Sequence, residues 1–184
     1  MDAQRLLVAL EPPPVVRAEL AAAVRSLPHA KTVPAESIHL TLRFIGDCDP
    51  ERTEALATAL AAVRVEPFVL PVGGLGVFPS RGLARVLWAG VGRAHTRLYQ
   101  LRKRVDEALL GVDLTLDVHH FQPHFTLARL ESGPDSRALA RLLESRDTFE
   151  APPFRVEDFH LLASEQHPGE STRYRRVRTF PLAP

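Results

Sequence analysis

The sequence predicts an α+β fold of two pseudo-symmetric lobes, each an antiparallel sheet with flanking helices, and an active-site cleft between them. Three observations carry this expectation. A short motif occurs twice, as Ser37-Ile38-His39-Leu40-Thr41-Leu42 and as Gln122-Pro123-His124-Phe125-Thr126-Leu127, 85 positions apart. Strand-like and helix-like stretches alternate in a mixed order that suits α+β architecture. No linker-like composition separates the halves, so residues 1–184 are expected to form one domain with one motif in each lobe.

The elements follow from local pattern. Arg5 to Leu10 reads as a strand, ended by Glu11 and three prolines, and Val15 to Leu27 has helical periodicity. Ile38 to Ile45 is the first motif strand, with Gly46-Asp47 expected to stop it. Asp49-Pro50-Glu51 has the form of a cap, proline and acid opening a helix that reaches Val63. Phe68 to Val72 and Ala84 to Val91 read as strands around a glycine-rich turn that begins at Gly73. Arg93 to Leu110 is the longest helix. The second motif strand, His124 to Leu130, precedes a short helix from Asp135 to Glu144. Phe154 to Ala163 and Tyr174 to Phe180 finish as strands around a polar turn at His167-Pro168-Gly169.

The repeated motif has a direct physical reading. Successive side chains of a strand point to opposite faces, so His39 and Thr41 share one face while Leu40 and Leu42 enter a core. The same holds for His124 and Thr126 against Phe125 and Leu127. With 8 His and 10 Thr in 184 residues, about 0.4 His-x-Thr triplets arise by chance. The alternating apolar positions reduce that to roughly 0.1 for one copy and well under 0.01 for two.

Composition limits the alternatives. Apolar residues make up 45% and charged residues 24% of the chain, an ordinary globular balance. The lone Cys48 excludes an internal disulfide and fits a reducing compartment. No stretch reaches the roughly 20 apolar residues of a membrane span. Together with an N-terminus lacking a secretory pattern, this leads to the expectation of a cytoplasmic protein with no membrane partner. Net charge is only +1. Two arginine-rich runs, at 97–104 and 173–178, are either local basic surfaces for an RNA backbone or ordinary solvated faces.

Two imidazoles and two hydroxyls facing one cleft suffice for acid–base chemistry on a phosphate ester. Opening a 2′,3′-cyclic phosphate requires a base for the attacking water and an acid for the departing ribose oxygen. A neutral and a protonated histidine supply both near neutral pH. The hydroxyls of Thr41 and Thr126 are suited to donate to the non-bridging oxygens. This chemistry calls for no cofactor and no metal. Arg43 shares the His39 face by strand alternation, as a phosphate contact or a solvated arginine. His119, His120 and His124 leave a metal-site reading open, although no acidic set completes it.

Beyond the motifs, Arg5-Leu6-Leu7-Val8-Ala9-Leu10, Arg43-Phe44-Ile45-Gly46, Gly76-Val77-Phe78-Pro79, Arg85-Val86-Leu87-Trp88-Ala89-Gly90, Ala128-Arg129, Ser164, Gly169, Tyr174 and Phe180-Pro181-Leu182 resemble one family nearly end to end. The chain resembles the 2H phosphoesterase superfamily, and within it the RNA 2′,3′-cyclic phosphodiesterases also called 2′-5′ RNA ligases. The resemblance implies a bilobal α+β fold and hydrolysis of RNA 2′,3′-cyclic phosphate ends to 2′-phosphates. It casts His39 as proton donor and His124 as proton acceptor, roles that the near-equivalent motifs alone leave open. Reversal with an RNA 5′-hydroxyl gives a 2′-5′ linkage.

The same resemblance places Phe44 and Arg129 at the nucleobase. Strict alternation turns them away from His39 and His124, so the carry-over requires a twist or strand end. Family members often carry a basic residue and an aromatic shortly before Val33-Pro34, where this chain has Lys31-Thr32 and so lacks the aromatic. The expected partner is RNA with cyclic phosphate ends, tRNA halves being one candidate, and the expected state is a monomer. Small cyclic nucleotides, 2′-5′ oligonucleotides, and a low-turnover RNA-binding module are the alternatives.

Overall fold

A computed structural model of the chain describes residues 3–25, 27–92, 96–112, 114–115, 120–130, 136–166 and 171–184. Its strands are β1 (Gln4–Leu10), β2 (Lys31–Thr32), β3 (Leu40–Cys48), β4 (Phe68–Phe78), β5 (Val86–Val91), β6 (His124–Arg129), β7 (Glu150–Val156), β8 (Asp158–Glu165) and β9 (Arg173–Pro181). Its helices are α1 (Pro14–Ala22), α2 (Pro50–Leu60), α3 (Thr96–Leu110) and α4 (Ser136–Glu144), with a 3₁₀ turn at Ala35–Ser37.

The strands form one antiparallel sheet in the order β7-β4-β5-β6-β3-β1-β8-β9, with β2 pairing on β6. Two four-stranded halves therefore meet where the motif strands β3 and β6 touch. They join through a single registered pair, Leu40 with Phe125, both fully buried. Alternation puts Leu6, Val8 and Leu10 of β1 into the main core with Leu20 of α1, Leu56 of α2, Leu101 of α3 and Leu139 of α4. The helices thus cover one face of the sheet. The other face holds a small cluster of Leu7, Ala9 and Leu162 against Tyr174, and the motif histidines lie on that side.

Local chemistry accounts for several boundaries. Asp49 caps α2 by accepting from the Arg52 N–H at 2.8 Å, with Pro50 in the first turn. Pro152 and Pro153 are tolerated in β7 because it is an edge strand. The helix expected to Leu27 ends at Ala22, and the one expected to Val63 ends at Leu60. The helix starts expected at Arg93 and Asp135 and the turn at His167-Pro168-Gly169 lie outside the described residues.

Three strand expectations change. Gly46-Asp47 does not end β3: Gly46, at φ +96°, carries the strand past a register shift on to Cys48. The glycine run from Gly73 is not a turn but the second half of β4, with Gly74 at φ +78° beside another register shift. A Cβ on Gly76 would stand 2.1 Å from the Trp88 ring, so the absent side chain makes room for the indole. The stretch from Phe154 to Ala163 is broken at Glu157 into β7 and β8, which pair at opposite ends of the sheet. The two-residue β2 is too short to leave a period in the sequence.

Gly76→Ala is expected to lose about 1–3 kcal/mol of stability, because the Trp88 ring must leave its place. Chemical denaturation of the variant checks this; an unchanged midpoint means the indole has another seat.

Candidate active site

Each motif histidine is fixed by its own backbone. His39 Nδ1 is 2.8 Å from the Ser37 carbonyl, and His124 Nδ1 is 2.8 Å from the Gln122 carbonyl. A carbonyl only accepts, so Nδ1 carries the proton in both rings and Nε2 is left for the substrate. The register that pairs Leu40 with Phe125 sets His39 across from Thr126 and Thr41 across from His124. Both histidines and both threonines line one cleft of about 500 Å³, together with Phe44, Arg129 and Tyr174.

Aromatic rings hold the imidazoles from either side. Tyr174 of β9 meets His39 edge-on at 4.3 Å, and Phe78 of β4 meets His124 edge-on at 5.0 Å. Trp88, registered opposite Thr126, completes the wall on the His124 side. Gly90 lies opposite His124 and adds no side chain to crowd it.

The seats of Phe44 and Arg129 have a backbone cause. Arg43 pairs with Val8 and Thr41 with Ala9, which leaves Leu42 as an extra residue in β3. Likewise Ala128 pairs with Leu87 and Thr126 with Trp88, which leaves Leu127 extra in β6. A bulge of one residue reverses the alternation beyond it. Both bulges fall immediately after the motif threonine, so the residue five positions beyond each histidine returns to the histidine's side. Those residues are Phe44, 72% exposed at the cleft, and Arg129.

The same reversal removes Arg43 from the cleft lining. Arg43, expected beside His39, instead forms a two-pronged ion pair with Asp106 of α3 at 2.8 Å. Asp106 also accepts from Arg102 at 2.8 Å, and Arg102 donates to the carbonyl of the bulged Leu42. Arg102 further packs over the Phe121 ring at 4.8 Å, just ahead of the second motif.

Burial pushes both imidazoles below the ordinary value near 6.5. The backbone hydrogen bonds oppose this in each. The Glu11 carboxylate also favours the charged form of His39, while the charges of Arg17 and His124 disfavour it. Burial alone would raise the Glu11 carboxyl, yet hydrogen bonds from Arg176 and Arg17 hold it below its ordinary range. Glu11, Tyr174, Phe78 and Trp88 have no spacing relative to the motifs that marks them in the sequence. The carbonyls of Ser37 and Gln122 are the exception, since both stand two residues before a motif histidine.

Among the described residues no group of three or more His, Cys, Asp or Glu side chains is gathered to hold a metal ion. His119 lies outside the described residues. No helix there is long and apolar enough to cross a membrane.

Known proteins resemble this chain in sequence and in fold. A family model described as the 2′-5′ RNA ligase superfamily matches residues 12–168. A protein of Aeropyrum pernix named RNA 2′,3′-cyclic phosphodiesterase is 33% identical over 147 residues, which is 78% of this chain and 84% of that protein. A Geobacillus stearothermophilus protein of the same name is 35% identical over 161 residues, 85% of this chain but only 49% of that longer protein. The crystal structure of Escherichia coli LigT in its apo form shares the fold, with a TM-score of 0.81 over 100% of both chains at 24% identity.

Folded-state values below the unfolded value mean that the unfolded chain binds more protons as pH falls through about 6.5. Stability is therefore expected to be steady above that pH and to decline below it. Denaturant midpoints between about pH 7.5 and 5.5 measure this, and the doubly substituted His39→Asn/His124→Asn chain should show a shallower decline. Equal slopes for the two proteins would contradict the burial of neutral imidazoles.

Proposed function

The chain belongs to the 2′-5′ RNA ligase superfamily, and on that premise we propose that it hydrolyses RNA 2′,3′-cyclic phosphate ends to 2′-phosphates, using His39 and His124 as acid and base. The observation that carries this reading is the matched pair of motifs, each imidazole tied at Nδ1 to its own backbone and facing the other motif's threonine.

In this reading, His124 Nε2 takes a proton from water as the water oxygen attacks phosphorus. The bond from phosphorus to the 3′ oxygen breaks in line, and protonated His39 gives its proton to that oxygen. Thr41 and Thr126 donate hydrogen bonds to the two non-bridging oxygens as charge builds there. His39, unlike His124, has a carboxylate, Glu11, favouring its charged form, which works against the burial and the Arg17 charge that disfavour that form. Phe44 offers a ring and Arg129 a guanidinium for the terminal base. Run backwards with an RNA 5′-hydroxyl in place of water, the same groups form a 2′-5′ linkage. A monomeric, cytoplasmic protein folding as one domain over residues 1–184 and accepting tRNA halves belongs to the same proposal.

The test is an RNA oligonucleotide ending in a 2′,3′-cyclic phosphate, incubated with EDTA and without ATP. The wild-type chain is expected to release a 2′-phosphate, and His39→Ala and His124→Ala should each lose about 10²–10⁴-fold. Persistence of opening in either variant refutes the paired mechanism, and loss with EDTA points to a metal instead.

Because catalysis requires His124 neutral and His39 charged, kcat/KM should fall on both sides of a maximum. Both free-enzyme values are lowered by burial, so that maximum is expected on the acid side of about 6.5. A profile still rising above that pH contradicts an acid whose value is lowered by burial.

A further inference from the structure

The two arginine-rich runs are largely neutralised in the fold. On β9, Arg175 pairs with Glu165, Arg176 with Glu11 and Arg178 with Glu54. On α3, Arg97 pairs with Glu66, Arg102 with Asp106, and Lys103 and Arg104 with Glu107. Neither run offers a free row of cations to an RNA backbone.

The cleft mouth differs. Lys31 of β2 is registered directly opposite Arg129 of β6, and both side chains are exposed and line the cleft. Among the described residues neither has an acidic partner. Like charges directly across a strand pair repel. An anion between them relieves that repulsion. The position also fits: Arg129 lies three residues beyond Thr126, about 10 Å along a strand and somewhat less with the bulge at Leu127. That leaves room for one ribose and base between the phosphate held by the motifs and a second anion at the mouth.

We propose that Lys31, set against Arg129, binds the internucleotide phosphate on the 5′ side of the terminal nucleotide, so that the cleft selects an RNA strand over a free nucleoside cyclic phosphate. This rests on the phosphodiesterase reading above. Lys31 is the discriminating group, because Arg129 also reaches the terminal base. The mononucleotide has no phosphate in that place and gives Lys31 nothing to hold.

The experiment compares three substrates that end in the same 2′,3′-cyclic phosphate: the mononucleotide, a dinucleotide, and that dinucleotide with an uncharged methylphosphonate linkage. Wild-type protein is expected to favour the charged dinucleotide over the uncharged one by about tenfold in kcat/KM, through KM. Lys31→Gln should erase that preference, leave the mononucleotide rate unchanged, and lower the salt slope for the dinucleotide by about 0.7. Lys31→Arg should keep the preference. Opening of all three substrates by wild type without preference for the charged linkage overturns this proposal alone. An equal loss on mononucleotide and dinucleotide in Lys31→Gln also overturns it, by placing Lys31 at the terminal nucleotide. Failure of wild type to open any of the three overturns the phosphodiesterase reading instead.

Discussion

The contact on which this molecule depends is the pairing of Leu40 with Phe125. It is the one registered pair between β3 and β6, and it joins two four-stranded halves of a continuous sheet. Both side chains are fully buried in the core that the helices cover. Since the side-chain period of a strand is two, seating these two residues inward forces both motif histidines and both motif threonines outward. A slip of one residue in this pairing would separate each imidazole from the opposite hydroxyl. The core and the chemistry are two faces of one register.

On that frame the bulges act as switches of direction. Each half places an extra residue straight after its threonine, Leu42 against β1 and Leu127 against β5. The symmetry of the halves therefore extends past the motif to the backbone defect beside it. Arg102 donates to the Leu42 carbonyl and shares Asp106 with Arg43, so α3 holds the first bulge by charge as well as by packing. Both leucines remain in the core, which favours the bulged form over a slipped strand.

The electrostatics of the cleft follow from what is neutralised around it. Most cations of β9 and α3 meet carboxylates, and Glu11, held by Arg17 and Arg176, gives His39 an anionic neighbour that His124 lacks. Two nearly identical motifs thus receive different surroundings.

The sequence by itself determined the α+β class, most elements, and the four polar side chains that share the cleft, because period and residue chemistry are local properties. His-x-Thr on a strand implies one face whatever the strand pairs with. It also carried Asp49 as a cap, since a cap is complete within four residues. Tertiary structure alone decided which strands are neighbours and where register shifts fall. It also supplied the bulges by which Phe44 and Arg129, already candidates from the family resemblance, enter the cleft while Arg43 leaves it for Asp106. It carried β4 through the glycine run because Trp88, from another strand, occupies the space a side chain at Gly76 would need. It set Lys31 against Arg129 through a strand of two residues. Each of these depends on hydrogen bonds or packing between segments far apart in the chain, and no local pattern encodes the partner.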